Sequence, residues 1–377
     1  MIILALIRGM KTMENRMLSL AQQFLQLPTA PFREHFIIEF IEQFCLERKI
    51  SLRKDSFGNL IATSGESTKN TAVTKLAFVA HMDHPGFIAE KNSRTNKCTA
   101  LFYGGWDPTE FQAAPIRFYS DKNKSVSAIA LRWEKSVVNM AWRAYLTVDG
   151  PIRKGDLGMW DFNPCKIKKG ILYSRWCDDS IGCILLLSLL DYFKSEKTTI
   201  PFNTIFTRAE EPGLHGAKHI CIENLLQKNT VPISVETSRE LPVAKIGDGV
   251  IIRVGDARTI FTPEITEKIV FIAKELKTSN SSFAFQRKLM DGGQCEGTVF
   301  SSFGYKTGAL SIPLGNYHNR NFTKKTTEPE YVSIQDMTNA FLLMKEMIEK
   351  TNAFSFKKVV TPDYKKIEGV LGETFYL

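Results

Sequence analysis

The stretch that most constrains this chain is residues 207–213, TRAEEPG, which follow an apolar segment at 202–206. That segment, FNTIF, has enough β-branched and aromatic residues to form a buried strand, and the proline and glycine after it end the strand. Two adjacent carboxylates, Glu210 and Glu211, therefore lie at a strand end, where open α/β sheets place their sites. A glutamate pair before a turn is more often solvated surface, so its meaning depends on the other strand ends.

Polar residues with metal-binding side chains adjoin other apolar segments in the same way. Buried-strand patterns occupy 76–80, 231–235 and 306–312, and an apolar helix pattern follows the two aspartates at 178–179. The metal-capable residues at these ends are His81, Asp83, Asp178, Asp179, Glu210, Glu211, Glu236 and His318.

This set of side chains suits a pair of divalent ions such as zinc. Imidazole and carboxylate groups are the usual non-thiolate ligands of zinc, and one carboxylate with two oxygens can bridge two ions. A remaining glutamate can then take a proton from an attacking water. Each pair alone is weak evidence for a metal site, because an isolated His-x-Asp is more often structural and an Asp-Asp before a helix is more often a helix cap. Together they fit hydrolysis at a carbonyl.

Helix and strand patterns alternate up to residue 90 and again after 165, whereas 91–165 contains only short apolar runs separated by Gly, Pro, Asp and Asn. The alternation predicts an α/β fold with a mixed, mostly parallel sheet flanked by helices. The interrupted region predicts a small all-β module inserted into that fold. We therefore expect a discontinuous catalytic domain, 1–90 with 166–377, and an inserted β-rich domain, 91–165.

Composition narrows the choice of partners and compartment. The 377 residues carry a formal net charge of +9, but the lysines and arginines are scattered, so we expect no nucleic-acid partner. The apolar runs are too short to span a bilayer, so we expect no membrane association. Seven cysteines without CxxC spacing are typical of reduced thiols in a cytoplasmic protein.

Five motifs resemble, in their order along the chain, those of the M42 aminopeptidases, which are relatives of the M20 and M28 di-zinc peptidases. The matching stretches are DSFGNL at 55–60, similar to D-x-x-G-N-L; HMDHPGF at 81–87, similar to HMD-E-(I/V)-G-F; WCDDSIG at 176–182, similar to x-x-D-(D/N)-R-x-G; EEPGLHGA at 210–217, similar to E-E-V-G-x-x-G-A; and IPLGNYH at 312–318, similar to I-P-x-R-Y-x-H. The resemblance implies a zinc-peptidase-like fold. It also implies that the inserted module serves dimerisation and assembly into a homo-oligomer.

The resemblance implies a two-metal centre, with zinc as the expected ion and cobalt or manganese as alternatives. By match, His81 and His318 would be terminal ligands, one for each ion. Asp178 would bridge the two ions. Glu211 would complete one site and Glu236 the other.

The same resemblance implies roles for residues beside the ligands. Glu210 would be the general base, and Asp83 would orient the neighbouring histidine ligand, as metal-bound histidines need. His84 adjoins that ligand and is expected to contact the substrate. Gly293 and Cys295 are expected to do the same, since they lie in a GGQCE stretch that resembles the family's GGTDA segment.

The departures from the family pattern leave the ligand set complete and cluster around the expected substrate pocket. His84 and Pro85 replace the usual Glu-Ile or Glu-Val, Ser180 replaces an arginine, and GGQCE lacks the aspartate. We expect a co-catalytic two-metal hydrolase of peptide bonds, an aminopeptidase that acts on a peptide or small amide. Two alternatives stay open: an M20-like amidohydrolase of N-acyl amino acids, and a catalytically inactive scaffold or assembly protein.

Overall fold

The structure is a computed structural model that describes residues 2–65, 75–93, 95–121, 123–136 and 141–351. The helices are α1 Ile2–Phe24, α2 His35–Glu47, α3 Ser180–Ser195, α4 His215–Ile222, α5 Pro263–Ser279, α6 Glu296–Ser302 and α7 Ile334–Glu349. The predicted catalytic domain also includes 352–377, which lie outside the described residues.

Nineteen strands accompany these helices in the described residues. Those before α3 are β1 Ser51–Lys54, β2 Leu60–Ser64, β3 Lys75–His81, β4 Gly86–Ala89, β5 Lys97–Tyr103, β6 Ile116–Asp121, β7 Lys124–Lys135, β8 Trp142–Val148, β9 Leu157–Trp160, β10 Lys166–Lys168 and β11 Ile171–Ser174. Those after α3 are β12 Phe202–Thr207, β13 Thr230–Arg239, β14 Val250–Gly255, β15 Phe285–Leu289, β16 Gly308–Gly315, β17 Arg320–Asn321, β18 Thr326–Thr327 and β19 Glu330–Ser333.

Eleven strands form one mixed sheet, whose main order is β1-β2-β12-β3-β13-β16-β19-β11-β10, with β14 and β15 branching from β16. Strands β12, β3, β13 and β16 pair in parallel at its centre, and β14 pairs in parallel with β15. The other pairings among the described strands of this sheet are antiparallel. The mixed sheet is confirmed, but the expectation that it is mostly parallel is wrong outside the centre, because short outer strands return antiparallel to both edges.

Helices cover both faces of the sheet, because alternate residues of each central strand point to opposite sides. Leu76 and Phe78 of β3 pack into the core under α1, α2, α3, α5 and α7. Ala77 and Val79 of the same strand pack on the other face, in a smaller cluster with α4 and α6. Central strands that are buried on both faces are continuous apolar runs in the sequence, and this is why they can be recognised there.

A second core lies inside a closed barrel with the strand order β4-β5-β8-β7-β6-β9. The ring of Phe87 meets Trp160 edge-on at 5.0 Å and Phe102 at 4.8 Å, so large aromatics fill the barrel. Closure satisfies every strand edge within the barrel. Its strands run from residue 86 to 160, compared with limits of 91 and 165 for the predicted module. The division of the chain into domains stays a prediction.

All seven cysteines lie in the described residues and are free thiols. Among the described residues, no helix combines the length and apolar character that a membrane crossing requires.

The loop after β12 is tied to the DSFGNL turn near the start of the chain. The backbone N–H of Arg208 donates to Asn59 Oδ1 at 3.0 Å, and its side chain donates to the Phe57 carbonyl at 2.7 Å and to Glu34 at 2.7 Å. Gly216 at the start of α4 donates back to the Arg208 carbonyl at 2.9 Å. A side chain at position 216 would place its Cβ 2.6 Å from the Arg208 backbone. Glycine is needed at this position because the two backbones approach so closely.

We expect Gly216→Ala to lower the free energy of unfolding by about 1–3 kcal/mol, because the added methyl forces two backbone segments apart. Chemical denaturation of the variant measures this loss. Gly292→Ala is the matched control, since a Cβ there meets no atom within 4 Å. Equal stability of the two variants would contradict the close approach.

Candidate metal centre

The predicted ligands converge at the carboxyl edge of the central strands. His81 ends β3, and β12 runs beside it in register, with Thr207 opposite His81. The other residues come from the loop after β12, from β13, from the segment before α3 and from the turn after β16: Glu210, Glu211, Glu236, Asp178 and His318. Potential ligand atoms of three sets lie within 4.8 Å of one another: His81 with Asp178 and Glu236; His81 with Glu210 and Glu211; and Asp178 with Glu211 and His318.

Asp178 occupies the middle of this cluster. Its Oδ1 lies 3.2 Å from His81 Nε2, and its Oδ2 lies 3.4 Å from His318 Nε2. The two oxygens of one carboxylate therefore face two different histidines. A carboxylate in this position can be shared by two cations, one beside each imidazole.

Two glutamates complete the two halves of the cluster. Glu211 Oε1 lies 3.3 Å from His318 Nε2, and Glu236 Oε2 lies 4.0 Å from His81 Nε2. Neighbouring ligand atoms of a tetrahedral zinc site with bonds of about 2.0–2.1 Å are about 3.3 Å apart. The spacings around His318 match that value, and the spacing to Glu236 is longer.

Unpartnered oxygens test whether these residues suit a metal. Asp178 Oδ1, Glu211 Oε1 and Glu236 Oε1 are buried and have no hydrogen-bond partner. Asp178 Oδ1 lies 3.2 Å from His81 Nε2, and Glu211 Oε1 lies 3.3 Å from His318 Nε2, but neither pair has the geometry of a hydrogen bond. Buried polar atoms without partners are expensive, and buried charges are normally paired or bound to metal. Oxygen and imidazole donors together fit divalent transition-metal ions such as zinc.

The electrostatics of the cluster require positive charge. Burial raises the pKa of three carboxyl groups above its ordinary value: Glu210, Glu211 and Glu236. Burial also opposes the charged forms of Asp178 and His318. Even so, the neighbouring His318 and His81 hold the pKa of Asp178 below its usual range, and Glu211 with Asp178 raises the pKa of His318 to about 10. A cation bound here would compete with the proton that this raised pKa favours on His318.

Asp83 and the backbone orient the ligands. His81 Nδ1 lies 3.0 Å from the backbone oxygen of Asp83, which sets the ring with Nε2 toward Asp178. The Asp83 carboxylate accepts the backbone N–H groups of Glu210 at 2.9 Å and Glu211 at 3.1 Å. Its Oδ1 is 3.6 Å from His81 Nδ1. Asp83 therefore fixes the glutamate loop as directly as it fixes the histidine.

Glu330 on β19 is a buried residue that the sequence analysis missed. One carboxylate oxygen accepts the backbone N–H groups of Cys177 at 2.6 Å and Asp178 at 3.1 Å, and the other accepts that of His318 at 2.7 Å. Burial, reinforced by the charge of Asp178, raises the pKa of Glu330 to about 8. The only sequence signal that could have identified Glu330 is the position of a carboxylate at the start of a short strand. Glu330 thus holds the backbone of Asp178 and of His318 in place.

Glu296 is a second buried carboxylate that the sequence analysis did not assign. It accepts the hydroxyl of Thr207 on β12 at 2.7 Å and that of Ser234 on β13 at 3.1 Å. Glu236 lies on the second of these strands, and Glu210 and Glu211 follow the end of the first. The segment in which the family's aspartate is missing thus supplies a carboxylate one position later.

The residues predicted to contact substrate occupy different surroundings. His84 is buried, with Nδ1 at 2.5 Å from the Asp178 carbonyl and Nε2 at 3.0 Å from Asn319 Oδ1. Cys295 is buried, and its backbone N–H donates to Asp256 at 3.2 Å. Gly293 is partly buried and offers open space beside its Cα. The structure gives His84 and Cys295 supporting contacts, and the substrate-binding role of all three residues stays a prediction.

Comparisons with known proteins agree on one family. A family model described as M42 glutamyl aminopeptidase matches residues 58–328. An aminopeptidase from the archaeon Desulfurococcus kamchatkensis has a TM-score of 0.73 at 20% identity, covering 93% of this chain and 99% of that chain. A TET aminopeptidase from a marine-sediment Thaumarchaeota archaeon has a TM-score of 0.73 at 16% identity, covering 90% and 99%.

A third solved structure is the TET1 peptidase of Pyrococcus horikoshii, which can assemble into a tetrahedron or a large octahedral shell. It has a TM-score of 0.71 at 20% identity and covers 88% of this chain and 99% of that chain. At these identities the solved structures establish the fold alone. The family match extends over most of the chain, and this chain therefore belongs to the M42 glutamyl aminopeptidase family of peptide-bond hydrolases.

Proposed function

We propose that this protein is an aminopeptidase whose catalytic centre binds two divalent metal ions. The observation that carries the proposal is the position of Asp178, whose two oxygens lie 3.2 Å and 3.4 Å from His81 and His318. His81 and Glu236 would hold one ion, and His318 and Glu211 the other, with Asp178 between them. Zinc is the ion we propose, with cobalt and manganese as alternatives.

Bound ions would supply Lewis-acid polarisation of the scissile carbonyl and stabilise the negative charge that develops there. The protein's own part in the chemistry falls to Glu210. Its carboxylate lies beside His81 and Glu211, and its backbone N–H donates to the Asp83 carboxylate at 2.9 Å. Glu210 takes a proton from the attacking water and returns it to the leaving amine. Its raised pKa, caused mainly by burial, favours holding that proton between the two steps.

We also propose that the barrel formed by β4–β9 is an assembly domain through which the protein forms a homo-oligomer. The support is the closed barrel itself, which has its own core, and the likeness to the TET1 peptidase, a protein that assembles into shells. The assembly domain would then be the barrel at 86–160, close to the 91–165 expected from the sequence, and the catalytic domain would comprise the parts of the chain on either side of it.

Asp178→Asn should abolish binding of both ions, because one carboxylate faces both histidines. His318→Ala should leave one ion bound, since His81 and Glu236 are untouched. Elemental analysis of protein purified without chelator gives the metal content per chain. Asp149→Asn, in an exposed turn between barrel strands, is the control and should keep the wild-type content. Full metal content in Asp178→Asn would contradict the shared carboxylate.

Glu210→Gln should retain bound metal and lose about 10²–10⁴-fold in turnover, because the amide cannot accept the proton. The assay uses aminoacyl anilides and N-acyl amino acids on metal-loaded protein, before and after chelator treatment. Glu267→Gln on the exposed side of α5 is the control. Retained activity in Glu210→Gln would rule out Glu210 as the general base. Cleavage of N-acyl amino acids alone would rule out an aminopeptidase.

Glu330→Gln should weaken metal affinity by about 10–100-fold, a range typical of groups that support metal ligands. The amide nitrogen of glutamine would face a backbone N–H donor where the carboxylate now accepts from Asp178 and His318. Competition with a chelator measures the affinity. Glu328→Gln alters a carboxylate that bonds to Lys324 and Asn321 instead, so it should bind metal as the wild type does. Equal affinity in both variants would contradict the supporting role of Glu330.

A further inference from the structure

A buried arginine, Arg253 on β14, lies close to one half of the candidate metal centre and is only 3% exposed. No carboxylate in the described part of the chain lies within 4.0 Å of its guanidinium group, whereas Arg117 and Arg208 each have such a partner. Its Nη1 donates to Ser238 Oγ at 3.3 Å, and its Nε has no hydrogen-bond partner. Buried charges are normally paired, because their desolvation costs several kcal/mol per ion. An unpaired arginine at this depth therefore calls for an explanation.

The strand register brings this guanidinium group past Glu236. Arg253 pairs with Ala309 of β16, and Ala309 pairs with Ser234 of β13, so the three side chains share one face of the sheet. Glu236 and Ser238 follow at alternate positions of β13 and lie on the same face. The Arg253 side chain thus crosses β16 and ends at Ser238, two positions beyond Glu236. The opposite charges of Arg253 and Glu236 interact electrostatically.

A second nearby carboxylate, that of Asp256, is already supplied with donors. It accepts three backbone N–H groups within 3.2 Å, from Arg258, Thr259 and Cys295. Glu236, by contrast, has a buried Oε1 without a hydrogen-bond partner. Of these two carboxylates, Glu236 is therefore the one whose charge Arg253 offsets.

The spacing of the side chains also distinguishes this half of the centre. Glu236 Oε2 is 4.0 Å from His81 Nε2, compared with 3.3 Å for the corresponding pair in the other half. Arg320 interacts electrostatically with Glu211 in that other half, but it is partly exposed, so solvent screens its charge more than that of Arg253. A buried positive charge and a wider spacing are thus found in the same half.

We propose that Arg253 limits how tightly the His81–Glu236 half of the centre holds a divalent ion. This inference rests on the proposed function and concerns the loading of its metal centre. A guanidinium group is always charged, so it offsets part of the negative charge of Glu236 and repels a second cation at the same carboxylate. The half with His81 and Glu236 should therefore fill at a higher metal concentration than the half with His318 and Glu211.

Titration of the metal-free protein tests this order of loading. Zinc is added to the chelator-treated full chain in the presence of a competing chelator of known affinity. The wild type should bind two ions whose affinities differ by about tenfold or more. Glu236→Gln should lose the weaker ion, and His318→Ala should lose the tighter one. Equal affinities in the wild type, or loss of the tighter ion in Glu236→Gln, would overturn the proposal.

Variants of Arg253 separate its charge from a purely structural role. Arg253→Gln removes the charge and should tighten the weaker ion by about tenfold while the tighter ion is unchanged. Arg253→Lys keeps the charge and should resemble the wild type. Arg287→Gln removes an exposed arginine of β15 and is the control for net charge. A structural support for Glu236 would give the opposite sign, so weaker or unchanged binding in Arg253→Gln contradicts the proposal. If that variant does not fold, the wild-type and Glu236→Gln titrations decide the question.

Turnover separates this proposal from the proposed function. If the wild type binds two ions unequally but cleaves no aminoacyl anilide, the aminopeptidase assignment fails, and tighter binding in Arg253→Gln still supports the role of Arg253. If the metal-loaded enzyme cleaves the anilide but its two ions bind equally, the proposed function stands and the role of Arg253 fails. A wild type that binds fewer than two ions contradicts both.

Discussion

The structure depends on the burial of several carboxylates around Asp178. Burial of unpaired negative charge is unfavourable by several kcal/mol per group, even after the protein relaxes. Two histidines face this carboxylate, but three buried oxygens of the cluster still have no hydrogen-bond partner. A cluster of buried carboxylates like this one is stable in the folded protein when cations balance its negative charge. The fold itself therefore gives a reason for the metal binding that we propose, in addition to the reason that the chemistry gives.

A second layer of carboxylates explains how the strand ends hold their ligands in one geometry. Asp83 accepts two backbone N–H groups of the glutamate loop, and Glu330 accepts three from the segments that carry Asp178 and His318. Glu34 accepts the N–H of Ala209 at 3.0 Å and the Arg208 side chain at 2.7 Å. Because these carboxylates accept hydrogen bonds from the backbone, they position whole loops. The side chains of the cluster are thereby brought close to one another.

The sequence was sufficient to identify Asp83 and the candidate ligands that the structure brings together, and it was insufficient for Glu34 and Glu330, for a physical reason. His81, Glu210 and Glu236 adjoin central strands that are apolar on both faces, so parallel pairing brings their ends together and the pattern is local. Glu34 contacts a residue 175 positions away, and Glu330 contacts one 153 positions away, so no local pattern marks them. The outer strands β1 and β10 are short and mostly exposed, which explains why antiparallel pairing was underestimated.

The same contrast between strands and loops is seen around the candidate metal centre. His81 and Glu236 lie on central strands, which are buried on both faces of the sheet. The turn after β16 carries His318 and continues into the β17–β18 hairpin, and such loops tolerate change more readily than strands do. Arg320 and Phe322 belong to that hairpin, and Trp106 reaches them from the barrel. The hairpin and Trp106 thus connect the two cores beside the turn that carries His318.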